Sequence, residues 1–187
     1  MHLLLIKHSL PEIDENVRAH DWHLSDEGRR RCGLLANLVA HYQPDVVITS
    51  LEPKAQETGQ LLAESLQIPV ATAADLHEHE RHNTPFLSPE MFKASVSTFF
   101  ENPGQRVMGE ESANEAHTRF ANAVRGMVSA HPHKNIAIVA HGTVISLFVA
   151  HMTGMEPRLL WEQLGLPAIV VLSLPDYQFV SMENITR

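Results

Sequence analysis

Two short apolar runs, each ended by a histidine, set the strongest limit on what this chain can fold into. His2-Leu3-Leu4-Leu5-Ile6 leads into Lys7-His8-Ser9, and Asn135-Ile136-Ala137-Ile138-Val139-Ala140 leads into His141-Gly142-Thr143. Unbroken apolar runs of this length fit strands covered on both faces, as in parallel sheets between helix layers. Each histidine then falls where the carboxyl end of a strand enters a loop, the edge at which open α/β sheets bind ligands. Two imidazoles delivered there from distant parts of the chain point to one active site.

The rest of the chain keeps the same alternation. A strand at about 2–7 is followed by a polar loop with Pro11 and Asp14, then a helix at about 25–42, with Ser25 as N-cap and Asp26 and Glu27 in its first turn. Asp45-Val46-Val47-Ile48-Thr49 has strand character, Pro53 opens a second helix through Leu66, and Ile68-Pro69-Val70 reads as a short further strand. Residues 71–110 break the rhythm with a histidine-rich stretch and a helix from Ser88 to about Phe100; they read as an insertion over the carboxyl edge of the sheet. Ser112-Ala113-Asn114-Glu115 is a capping box for a helix reaching about Ala130. The strand at 135–140 precedes a helix from about Thr143 with Gly154 as its C′ residue. Pro157 begins a short helix, and 168–174 and 178–182 flank Pro175-Asp176 as a terminal hairpin. The expected fold is a single domain over 1–187: a three-layer α/β/α sandwich with a mostly parallel central sheet.

Composition narrows the class of function. The 187 residues, 44% hydrophobic and 19% charged, describe a globular protein with a full core. A formal net charge of −8 disfavours nucleic acid and anionic membranes as partners. No run is long enough to span a bilayer, and the apolar start is too short for a secretory signal. Cys32 is the single cysteine, which rules out an internal disulfide or a four-cysteine zinc site. A cytoplasmic protein acting on a small molecule is expected, with the terminal hairpin or an exposed helix as candidate homodimer surfaces.

A third strand end presents Ser50-Leu51-Glu52-Pro53-Lys54, and Lys54 lies in the first turn of the next helix, where free backbone N–H groups favour an anion. Lys7, His8, Lys54 and His141 thus converge as four nitrogen-bearing side chains. All charged, they would repel one another; a phosphate or similar dianion is expected to resolve the conflict.

In order and residue type these motifs resemble the histidine phosphatase superfamily, which includes the cofactor-dependent phosphoglycerate mutases. Lys7-His8-Ser9 stands where the family carries Arg-His-Gly, and Leu24-Ser25-Asp26-Glu27-Gly28 matches its Leu-Ser-x-x-Gly. Ser50 to Thr58 matches Ser-x-x-x-Arg-Ala-x-x-Thr with Lys54 for arginine, and Leu76-His77-Glu78 matches Leu-x-Glu. Gly109-Glu110-Glu111-Ser112 is Gly-Glu-Ser with one extra glutamate, and His141-Gly142 is the second His-Gly.

The resemblance implies a phosphoglycerate mutase-like fold and hydrolysis of a small phosphomonoester, a phosphorylated metabolite, through phosphohistidine, with no metal and no cofactor. On it, His8 attacks phosphorus in line, while Lys7, Lys54 and His141, with Ser9 and Gly142, hold the phosphate. Glu78 protonates the leaving oxygen and then activates water, Glu80 staying open as the alternative because sequence does not fix the register of that loop. Lysines in place of two arginines keep the charge and lose the planar fork. Asp14, where the family often has asparagine, is expected to turn from the phosphate. Two further readings are a catalytically weakened phosphate-binding or regulatory protein of the same fold and a mutase-type phosphotransferase, though no bisphosphate-handling signature is present. His77, His79 and His82 raise a metal-hydrolase reading, but they lack the His-Glu-x-x-His spacing and read as a solvated loop. Ser50 reads as a helix-entry residue, and Arg29 to Arg31 as the exposed start of a helix.

Overall fold

In β1 (His2–Lys7) every side chain from Leu3 to Ile6 is fully buried, because both faces of the strand are covered. Alternation sends Leu3 and Leu5 into one core and Leu4 and Ile6 into the other. β2 (Val46–Thr49) and β4 (Ile136–Ala140) are buried along their whole length for the same reason. The computed structural model describes residues 1–185.

With β3 (Val70–Thr72), β5 (Ala168–Ser173) and β6 (Phe179–Asn184), these strands form one six-stranded sheet in the order β3-β2-β4-β1-β5-β6. The pairs β3–β2, β2–β4 and β4–β1 are parallel, whereas β5 runs antiparallel to β1 and β6 to β5, the terminal hairpin. The third strand lies slightly later than sequence suggests. Pro69 has no N–H to give the ladder and contributes only its carbonyl, which accepts from Val47 N at 2.9 Å, so regular pairing starts at Val70.

Helices α1 (Asp26–Ala40) and α2 (Pro53–Leu66) pack on one face through Leu35, Val39 and Leu62. The other face is covered by α3 (Pro89–Glu101), α4 (Ala113–Ala130), α5 (Gly142–Thr153) and α6 (Pro157–Gln163). The result is a three-layer α/β/α sandwich. The caps read from sequence are formed. Ser25 Oγ accepts from Gly28 N at 3.0 Å, Ser112 and Glu115 make both arms of a capping box, and Gly154 ends α5 with φ +76°. Within 71–110, α3 is part of the core through Val96, Phe99 and Phe100.

Gly28 sits where the loop after His8 crosses the first turn of α1, and a Cβ there would lie 2.1 Å from the Leu10 carbonyl oxygen. Gly33, on the exposed side of the same helix, has nothing within 4 Å. Gly28→Ala is expected to lower stability by about 1–3 kcal/mol through overpacking. Gly33→Ala should raise it by about 0.5–1 kcal/mol by relieving helix entropy. Thermal unfolding of the two variants measures the opposite signs.

Candidate active site

The strand order alone brings the two histidines together. β4 lies between β2 and β1, and the ladder continues one residue beyond each neighbour: His8 N donates to Ala140 O at 3.0 Å and Ser50 N to Val139 O at 2.9 Å. His8, His141 and Ser50 therefore leave the carboxyl edge side by side. The two imidazole rings lie 5.2 Å apart, centroid to centroid, and both are buried.

His8 Nδ1 is 2.7 Å from the Ser9 carbonyl oxygen. A carbonyl can only accept, so Nδ1 carries the proton and Nε2 of the neutral ring keeps its lone pair. Burial first, then the charges of His141, Lys54 and Lys7, holds the pKa of His8 well below the ordinary histidine range. His141 is depressed as well, by burial and then by Lys54, with Glu78 pulling the other way. Its Nε2 lies 2.9 Å from Ser50 Oγ and 3.4 Å from Glu52 Oε1, while the buried Nδ1 has no protein partner. Ser50 Oγ also accepts from Glu52 N at 3.3 Å, so its hydroxyl is both a turn ligand and a support for the second imidazole.

The charges are arranged differently from the sequence expectation. Lys54 does not stand as a bare cation: its ammonium is 2.5 Å from Glu52 Oε2 and 2.6 Å from the Ala19 carbonyl oxygen, with both side chains of the pair almost fully buried. Glu52 is the N-cap residue of α2, but its carboxylate makes no cap; it turns into the cup, where Oε1 also accepts from Glu78 N at 2.8 Å. Lys7 Nζ donates to the Leu164 carbonyl at 2.8 Å, and burial lowers its pKa to about 8 against the opposing pull of Glu78. Gly142 lets this lysine pass, since a Cβ there would lie 3.2 Å from Lys7 Cε. The expected mutual repulsion of the cluster is thus relieved by the protein's own carboxylates and by neutral histidines, before any anion is considered.

Glu78 reaches the same edge. Its Oε2 accepts from Thr143 N at 3.1 Å, which places the carboxylate at the N-terminus of α5, and Oε1 accepts from His79 N at 2.9 Å. Burial pushes its pKa up, but His141, Arg81 and these two amides outweigh it and bring it to about 2. Glu80, the other acidic residue of the loop, turns outward to His77 Nε2 at 3.0 Å. The register is fixed from below. Glu111 Oε1 accepts from Glu80 N, Glu110 accepts from His82 N and Asn83 N, and Arg119 donates to the carbonyls of Asp75, His77 and Glu78. The Gly-Glu-Glu-Ser segment is the clamp that holds the Glu78 loop.

Other residues named from sequence lie elsewhere. Ser9 Oγ donates to Gly28 O at 2.7 Å and Ser9 N to Thr58 Oγ1 at 3.0 Å, so its polar groups hold the loop against α1 and α2 instead of lining the cup. Asp14 turns from the cup, its carboxylate accepting from Asn16 N at 2.9 Å. His79 is buried against Phe99, His82 meets His20 edge to face, and His77 pairs with Glu80, so the three do not converge. Among the described residues no group of three or more His, Cys, Asp or Glu side chains is placed to hold a metal ion. Arg29, Arg30 and Arg31 pair with Asp26, Glu27 and Glu57. Sequence reasoning assigned no role to Glu52, Arg81 or Arg119; only Glu52 carried a signal, as an acid beside Lys54 at a strand end.

The model of the histidine phosphatase superfamily (branch 1) matches residues 3–184. The chain belongs to that superfamily and is an enzyme of its metal-independent, phosphomonoester-hydrolysing type. It is similar to the uncharacterized phosphatase PhoE of Bacillus subtilis (strain 168), 24% identical over 161 residues, 83% of this chain and 79% of PhoE. In fold it is similar to a phosphoserine phosphatase of Entamoeba histolytica, with TM-score 0.79, 18% identity, and coverage of 97% and 95% of the two chains. A mycobacterial glucosyl-3-phosphoglycerate phosphatase gives TM-score 0.75, 19% identity, and coverage of 91% and 88%.

Two outcomes follow from the charges. Glu52→Gln leaves Lys54 buried without its counterion and should cost about 3–5 kcal/mol of stability. Inorganic phosphate should then raise the melting temperature of this variant more than that of wild type, because it supplies the missing negative charge; an equal rise would refute the pairing. Lys7 is charged below about pH 8 and neutral above it, so phosphate affinity measured by calorimetry should fall as pH rises through about 8. Lys7→Arg should remove that fall.

Proposed function

We propose that the protein hydrolyses a small phosphorylated metabolite in two steps through a phosphohistidine on His8. The observation that carries the reading is the Nδ1 hydrogen bond to the Ser9 carbonyl, which leaves Nε2 of a buried neutral imidazole as the nucleophile. Phosphorus is attacked in line, the bond to the ester oxygen breaks, and the phosphoryl group rests on His8. Lys7, Lys54 and His141 face the phosphoryl oxygens, where transition-state charge accumulates. The orphan Nδ1 of His141 supports that assignment.

Glu78 gives a proton to the leaving oxygen and then takes one from the water that attacks the phosphohistidine. With a pKa of about 2 it is a carboxylate before substrate arrives. The proton it delivers is therefore one acquired with the substrate, whose negative phosphate beside the carboxylate raises its proton affinity. Its place at the start of α5 beside His141, with Glu80 turned outward, favours Glu78 as the acid. The segment 71–110 covers the cup and is the source of substrate selection. Two proteins of similar fold act, by their names, on phosphorylated compounds of moderate size, phosphoserine and glucosyl-3-phosphoglycerate.

A second reading, phosphate binding without efficient turnover, is favoured by one feature: Glu52 already engages Lys54, so an incoming phosphate must share that ammonium. Incubation with a labelled phosphomonoester, rapid quenching and analysis of acid-labile phosphate separates the two. Label on wild type but not on His8→Ala, with release of free phosphate, is expected. Binding with no label on wild type would establish the second reading.

A further inference from the structure

We propose that Arg81 reads a carboxylate on the substrate, so that the preferred substrates are phosphomonoesters carrying an acidic group near the phosphate; this rests on the phosphomonoesterase reading above. Arg81 lies three residues after Glu78 in the loop held by Glu110, Glu111 and Arg119, and its charge lowers the pKa of both Glu78 and His141. Its guanidinium carbon stands 4.7 Å from the ring centroid of Phe92, so one face of the group is covered by an aromatic floor on α3.

Every other feature of this side chain asks for an anion. Arg29, Arg30, Arg31, Arg106, Arg119 and Arg158 each reach a carboxylate of the protein within 4.0 Å. Among the described residues Arg18, Arg81 and Arg125 reach none, and of these three only Arg81 has a buried guanidinium nitrogen. Its Nη1 is buried and has no hydrogen-bond partner. A buried guanidinium N–H without a partner is unfavourable, and a planar carboxylate offers the edge-on acceptor pair that the fork fits.

The backbone at Arg81 is held in a defined position. Gly109 adopts φ +83° directly against it, and a Cβ there would lie 2.8 Å from Arg81 Cα and 2.0 Å from Glu80 O. Glu110 N donates to Glu80 O at 2.8 Å, and Thr84 N to Arg81 O at 3.1 Å. The clamp that positions Glu78 therefore fixes the root of Arg81 at a set offset from it, and Phe92 lies under the guanidinium. One guanidinium carries one positive charge, which matches a carboxylate better than the higher charge of a second phosphate.

The test is kcat/KM on two matched pairs: phosphoglycolate against ethyl phosphate, and 3-phosphoglycerate against glycerol 3-phosphate, with p-nitrophenyl phosphate as a general ester. Wild type should favour the carboxylated member by roughly 10- to 100-fold, the span expected of one charge-assisted pair. Arg81→Gln should bring the ratio to about one whatever its absolute rates, and Arg81→Lys, which keeps the charge without the fork, should fall between. Equal rates on both members in wild type, or an unchanged ratio in a folded Arg81→Gln protein, would overturn the proposal. So would a shifted pH profile with the ratio intact, since Arg81 would then act only on Glu78. If wild type turns over none of the esters, the phosphomonoesterase reading fails. Calorimetric affinities for the same pairs then decide on Arg81, by the same ratio in wild type and variant.

Discussion

The buried Glu52–Lys54 pair is the contact on which the rest of the site depends. A sheet edge that gathers two lysines and two histidines in a buried cup would be costly if the charges stood alone, since an unpaired buried ion is strongly destabilising. Glu52 answers this from the first residue outside α2, taking the Lys54 ammonium on one oxygen and the Glu78 amide on the other. One carboxylate thereby joins the loop after β2 to the loop that carries Glu78. The same oxygen that accepts from Glu78 N lies 3.4 Å from His141 Nε2, so the third strand end is tied in as well. Three loops from distant sequence positions are held in register by a side chain that does no capping.

A second layer of polar contacts holds the Glu78 loop in place. Residues 75–83 have no regular secondary structure, and their backbone groups need partners if the loop is to stay half-buried. Arg119 takes three carbonyls, and Glu110 and Glu111 take three amides. The Glu111–Arg119 ion pair, at 2.5 Å and largely buried, locks the two halves of that set together. The additional glutamate in Gly109-Glu110-Glu111-Ser112 is explained by this division: one acid for the near part of the loop, one for its far part. Ser112 then starts α4, which presents Arg119 two turns later, so the capping box fixes where the clamp's cation emerges.

What was legible in the sequence followed from period and from chain ends. Buried strands announce themselves as unbroken apolar runs, and Ser25, Ser88, Ser112 and Gly154 mark helix ends through local hydrogen bonding, which needs no knowledge of the fold. The convergence of His8 and His141 was legible because parallel strands all deliver their carboxyl ends to one edge. The direction of a loop side chain was not. Ser9 follows His8 directly yet faces α1, because the Gly28 carbonyl lies there; Glu78 and Glu80 share a loop face in sequence, and only the clamp at Glu110, Glu111 and Arg119 separates them. Glu52 was overlooked because an acid before a proline at a helix start reads as an ordinary cap, and its actual partners are 26 and 89 positions away or across a turn.

The two lysines gain a physical account from the same geometry. An arginine carries its own orientation in a planar fork, whereas a lysine ammonium must be held by its surroundings. Here both are held: Lys54 by Glu52 and the Ala19 carbonyl, Lys7 by the Leu164 carbonyl and the close approach that Gly142 permits. Lysine and carboxylate together therefore supply an oriented cation, at the expense of part of its charge. On the proposed reading, a carboxylate that shares the ammonium with the phosphate weakens the ground-state grip on a dianion. On that reading the loss falls on phosphate affinity more than on orientation, so additional recognition is left to the part of the substrate beyond the phosphate.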